Sequence, residues 1–112
     1  MRKKNLITTV AGISFAAMSL SGIAAEKPAA LDGATLYQTK TCFACHGVDA
    51  NTPLLPNYPK LAGQNKEYAL AQMKDIKSGA RNNGETAAMK GVMHVVNDAE
   101  MDAIAKWLSS LK

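Results

Sequence analysis

Cys42, Cys45 and His46, in the run Cys42-Phe43-Ala44-Cys45-His46, are the residues whose types and spacing point most directly to chemistry. They include both cysteines of the 112-residue chain. On a helical turn two sulfurs three residues apart project from one side, and the imidazole of the next residue can swing toward that side. A thioredoxin-like redox pair has the same C-x-x-C spacing but needs a βαβ setting, and no apolar strand-like run precedes Cys42. A zinc site needs further ligands at finger-like spacing, whereas the other histidine, His94, lies far along the chain and no second cysteine pair exists. A plain disulfide leaves His46 without a role. Covalent haem attachment uses all three residues: the thiols become thioethers on the two vinyl groups of one porphyrin, and His46 ligates the iron. One haem c per chain is the expected cofactor.

The N-terminus supplies a compartment for that chemistry. Arg2, Lys3 and Lys4 precede an apolar stretch from Leu6 to Leu20, and small residues follow from Gly22 to Ala25. This is the layout of a secretory signal peptide. Thr8, Thr9, Ser14 and Ser19 interrupt the stretch, which is short beside the ~20 apolar residues of a spanning helix. Cleavage is expected after Ala24 or Ala25, giving a signal peptide over 1–25, a domain over 26–112 and no transmembrane anchor afterwards. Loss of the three leading basic residues leaves ten basic against nine acidic, so the formal charge of +4 shrinks to about +1. Haem propionates offset the remainder. The basicity of the whole chain is therefore no argument for a nucleic-acid partner.

An iron held by one histidine leaves its opposite position to be filled. A methionine there raises the reduction potential and a second imidazole lowers it. Met89, Met93 and His94 all follow the second helical stretch, and spacing by itself does not choose between them. Met73 and Met101 fall on apolar helix faces and read as core.

Three helical stretches must position these groups, and no segment alternates long enough for a strand, so the fold class is all-α. The first is expected over about Asp32 to Thr41, with Asp32 as N-cap and Leu36 and Tyr37 inward. The second starts near Asn65, buries Ala69, Leu70, Met73 and Ile76, and stops at Gly79. The third carries a capping box, Asn97 with Glu100, then Met101, Ile104, Ala105, Leu108 and Leu111 at helical spacing, with Asp102 and Lys106 outward. Between the first two, Pro53, Pro56, Pro59 and Gly63 impose an extended, stiff path. The stretch from Ala80 to Val96 reads as a long functional loop. A chain of this size has a marginal core of its own, and a haem would complete it.

From Gly33 onward the chain resembles a class I c-type cytochrome, of the small periplasmic monohaem kind whose fold also forms each half of the dihaem cytochromes of Proteobacteria. The likeness rests on Gly33-x-x-Leu36-Tyr37, on CFACHG at 42–47, on YPKLAGQ at 58–64 and on AMKGVMHVVNDAEMDAIAKWL at 88–108. It implies a cytochrome c fold of three main helices and long loops wrapped around one covalently bound haem. The resemblance selects Met89 as axial ligand, seven residues before Val96, with Met93 at a packing position. It also makes the backbone carbonyl of Pro59 the hydrogen-bond partner of the His46 ring. The stretch from His46 to Pro59 is one residue longer near Leu54 and Leu55 than the pattern, and Trp107 stands where tyrosine is commoner. Trp107 is expected to pack against the first helix near Gly33 and Tyr37.

The resulting expectation is a periplasmic one-electron carrier between respiratory redox partners, not an enzyme. It would dock transiently on partner proteins, among them membrane-bound oxidase or reductase complexes. Two other roles use the same residues: a dedicated electron-accepting subunit of a periplasmic dehydrogenase, and a haem enzyme or small-ligand binder with a labile sixth position. The latter would draw on His94 and the stretch Arg81 to Glu85 for distal groups.

Overall fold

Asp32 starts the first helix by satisfying its free amides: its carboxylate accepts from Ala34 N–H at 3.2 Å and from the Thr35 hydroxyl at 2.6 Å. Helix α1 spans Gly33–Thr39. In the computed structural model, which describes residues 31–112 together with Gly12 and Ser14, every regular element is helical. The expected signal segment, apart from those two positions, and its junction lie outside the described residues.

After α1 the backbone turns sharply at Thr41, with φ 65°, and enters a single helical turn, α2, Phe43–His46. Gly47 ends it at φ 89° and ψ 156°, a conformation reserved for glycine, and a Cβ there would collide with the Thr52 carbonyl. The proline-bearing connection that follows is pinned rather than loose. Leu54 N–H donates to the Cys45 carbonyl at 2.9 Å, Leu61 and Ala62 both donate to the Ala50 carbonyl, and Gly63 donates to the Leu108 carbonyl at 2.9 Å. Ala50 is fully buried at φ 56°, so packing holds this fold point in the left-handed region that an alanine Cβ disfavours.

Asn65 caps α3, Lys66–Ser78, by accepting from Tyr68 N–H at 3.0 Å, and left-handed Gly79 closes it. Helix α4, Thr86–Met93, occupies the stretch expected as a loop. Its ends lack the usual signals: no side chain caps it at Glu85, and Gly91 sits near its C-terminus. Packing against α3 supplies what local propensity does not. Helix α5, Asp98–Ser110, begins with the reciprocal capping box, Glu100 N–H to Asn97 Oδ1 at 2.9 Å and Asn97 N–H to Glu100 Oε1 at 3.0 Å.

Helix α5 is the common partner, packing on α1 and on α3, while α3 also packs on α4. Tyr37, Met93, Val96, Met101 and Leu108 are the largest side chains withdrawn from solvent, with Ile104 and Ala105 beside them. The α1–α5 crossing is close because Gly33 has no side chain: a Cβ there would overlap the Ala103 carbonyl and come within 2.5 Å of Trp107 Cβ. Trp107 then stacks at a tilt on Tyr37, ring centroids 4.9 Å apart. Leu36 is partly rather than fully buried, and Asp102 pairs with Lys66 at 3.2 Å instead of pointing wholly to solvent. Among the described residues no helix is long and apolar enough to cross a membrane.

Candidate cofactor site

A cavity of about 550 Å³ is lined by residues of α2, α3, α4, α5 and the proline-bearing connection. Volume of this order suits a small-molecule or cofactor site. Cys42 at the N-cap of α2 lines it with Cys45 and His46 on that helix, Pro59 and Leu61 from the pinned loop, Met73 and Ile76 from α3, Ile104 and Leu108 from α5. Helix α4 contributes Thr86, Met89, Val92 and Met93.

His46 is buried, and its Nδ1–H donates to the Pro59 carbonyl oxygen at 2.9 Å. A carbonyl only accepts, so this bond keeps the proton on Nδ1 and leaves the Nε2 lone pair free on a cavity-lining residue. A second bond braces the same turn: the Tyr37 hydroxyl donates to the Gly47 carbonyl at 2.6 Å. Burial pushes the Tyr37 phenol well up, which keeps it a donor.

The two cysteines line the cavity with no disulfide between them, Cys42 half-buried and Cys45 exposed. Burial pushes the Cys42 thiol up, opposite to the lowered thiol of a disulfide-exchange pair. The exposure of Cys45 puts one rim of the cavity at the surface. Exposed Phe43, Val48 and Leu54 line a shallow depression beside that rim.

Of the candidates for a second ligand, Met89 and Met93 both reach the cavity, one turn apart on α4, and His94 does not. Met93 is packed into the core at 1 % exposure, Met89 is half-buried and His94 is exposed. Arg81, Asn83 and Glu85 line the polar mouth, where Arg81 Nη1 donates to Gln72 Oε1 at 2.8 Å. No group of three or more histidine, cysteine or acidic side chains forms a metal cluster among the described residues.

These walls fit a haem. Two cysteines and an imidazole come to the lining from α2 and its N-cap, thioethers from α3 and α4, and most of the remaining lining is apolar. Thr86 Oγ1 adds a further sign: it is buried without a hydrogen-bond partner among the described residues, on the wall of the same cavity. Sequence reasoning missed Thr86 and the Tyr37 hydroxyl. Neither has a local pattern that marks it, since each role depends on which distant backbone or cavity it meets.

The fold and this site define a haem-binding all-α protein, and comparison with known proteins supplies the family. The cytochrome c family model matches residues 30–112, and the chain belongs to that family. It is similar to cytochrome c4 of Stutzerimonas stutzeri, 42% identical over 77 residues, covering 63% of this chain and 36% of the relative. Cytochrome c-554(548) of Halomonas halodenitrificans is 37% identical over 70 residues, 62% of this chain and 83% of the relative. A thiosulfate dehydrogenase electron acceptor of Stutzerimonas stutzeri strain A1501 is 30% identical over 109 residues, 96% of this chain and 49% of the relative. The chain spans about a third of the length of its cytochrome c4 relatives. Family membership implies covalently bound haem c, and Cys42, Cys45 and His46 stand in the matching C-x-x-C-H arrangement.

Proposed function

We propose that this chain is a periplasmic one-electron carrier in which Cys42 and Cys45 anchor haem c, His46 and Met89 are the axial iron ligands, and Pro59 orients His46. The observation that carries this reading is the shared cavity: an imidazole with its Nε2 lone pair free on one wall and the half-buried thioether of Met89 on another. When bound, haem c supplies an iron that gains or loses one electron without making or breaking a substrate bond.

The protein's part is to keep that change inexpensive. Pro59 fixes the tautomer and angle of His46. Tyr37 holds the peptide that follows it. The apolar lining excludes water, so little solvent has to reorient as charge changes. The exposed rim at Cys45, with Phe43 and Val48 nearby, offers the side on which a redox partner would dock, through a small and transient interface. The polar mouth does not favour an enzyme: Arg81 is already engaged by Gln72, and His94 stands outside the cavity.

Met89→Ala in the haem-loaded protein tests the ligand reading. The far-red sulfur-to-iron absorption of the oxidised form is expected to vanish and the reduction potential to fall; survival of both would reject Met89. Export is tested by the N-terminal sequence of the mature protein, expected to begin at Ala25 or Glu26.

A narrower role has its own support. The relative named a thiosulfate dehydrogenase electron acceptor aligns with 96% of this chain. Under this reading the carrier serves one periplasmic dehydrogenase, and it would co-purify with that enzyme at a fixed ratio. A freely exchanging carrier would not.

A further inference from the structure

Helix α4, which carries Met89, lacks a capping side chain at its start and a glycine-type stop at its end. What immobilises its far end comes from two other helices. Lys40, at the C-cap of α1, donates from Nζ to the Val95 carbonyl at 2.8 Å, and Lys77, in the last turn of α3, donates to the Val96 carbonyl at 2.6 Å. These are consecutive carbonyls in the corner between α4 and α5. Lys40 also lies 3.2 Å from Glu100, whose other oxygen caps Asn97 N–H at the start of α5. The Glu100 and Lys40 side chains are largely shielded, at 14% and 25% exposure, so solvent screens this pair less than an open surface pair. Both ammonium groups sit beyond the C-terminus of α4, the end its peptide dipoles make favourable for cations.

We propose that Lys40 and Lys77 are positioning residues for the sixth iron ligand, a two-point latch that clamps the α4–α5 corner and so holds Met89 against the iron. This rests on the reading of Met89 as ligand. The latch acts on the backbone beyond Met93, four residues after Met89 on the same helix, so releasing it frees α4 to shift while α3 and α5 stay packed. Both lysine stems are partly buried and span otherwise separate helices, which is a costly way to place two flexible side chains unless the corner they grip must not move.

The test uses the oxidised, haem-loaded protein and the variants Lys40→Met, Lys77→Met, their combination, Lys77→Arg, and Lys74→Met as a control for lost charge at an exposed site on α3. Two signals are followed in guanidinium: the far-red methionine band and the helical circular dichroism. A third is the rate of cyanide uptake, which requires the sixth ligand to leave. The latch predicts that each Met variant loses the band well before its helices melt, that cyanide uptake quickens about tenfold per lysine removed, the scale of one charge-assisted hydrogen bond, and that Lys77→Arg and Lys74→Met stay near the parent.

Band and helix transitions that shift together, with cyanide uptake within about twofold of the parent, would reduce the lysines to general stabilisers and overturn the latch. A band that survives Met89→Ala overturns the ligand reading and the latch with it. A band lost in Met89→Ala, but indifferent to both lysines, overturns the latch alone. Should the double variant fail to hold haem, the single variants carry the same comparison.

Discussion

Tyr37 joins three parts of the site. Its ring stacks on Trp107, its hydroxyl holds the Gly47 carbonyl, and its face lines the cavity. Because burial raises its folded pKa above the ordinary 10.0, the unfolded chain ionises first as the medium becomes alkaline. Stability from burying the neutral phenol is therefore fully present below pH 10.0 and drains away as pH rises through and beyond it. Tyr37→Phe should flatten that alkaline loss, at a cost of about 1 kcal/mol near neutrality for the missing hydrogen bond. Denaturant unfolding at a series of pH values reads both effects. If the two proteins lose stability in parallel above pH 10.0, the phenol is not the responsible group. At this scale the cysteine–histidine motif was plain in the sequence, because its atoms are joined by adjacency along the chain. Thr86 and the Tyr37 hydroxyl were not, because their relevance arises only when remote segments meet.

Helices α1, α3 and α5 owe their limits to short-range chemistry: Asp32, Asn65 and Asn97 each accept from an amide two or three residues on, and left-handed Gly79 ends α3. Such signals are readable in order along a chain, and the observed ends fall within two residues of the expected ones. Helix α4 has no capping side chain to mark its start, and its packing on α3 decides that the stretch is helical. Two predictions belong here. Gly33→Ala puts a methyl into the Ala103 carbonyl and Trp107, so α1 and α5 must separate; a loss of about 1–3 kcal/mol in chemical denaturation is expected. An unchanged midpoint would mean that the crossing yields freely. Glu100 is held below its ordinary 4.5 by the Asn97 amide and by Lys40, so its stabilising contribution is present above pH 4.5 and lost as pH falls through the lower folded value. Glu100→Gln should lessen acid unfolding in that window, measured by circular dichroism, and leave the alkaline limb as it was.

At the scale of the molecule, the cavity sits where a larger domain would have side chains. Without a bound group the apolar side chains that line it, among them Ile76, Val92, Ile104 and Leu108, have no packing partner on that side. Folding is therefore expected to depend on the cofactor. Replacing Cys42 and Cys45 together by alanine should leave a chain with much of its helical signal but a broad, weakly cooperative thermal transition, where the haem-loaded parent melts sharply. A sharp transition in the variant would show that the helices suffice. By itself the amino-acid sequence determined what adjacency and short spacing can encode: the C-x-x-C-H arrangement, the ends of three helices, the all-α class and the near balance of charge beyond the leading segment. Tertiary structure alone decided which methionines reach the cavity, that His94 stays outside it, that α4 is a helix, and that lysines from α1 and α3 grip the corner behind Met89. The physical reason is range. Caps and motifs are closed by atoms a few residues apart, whereas a cavity wall and a clamp are closed by chain segments that only packing brings together.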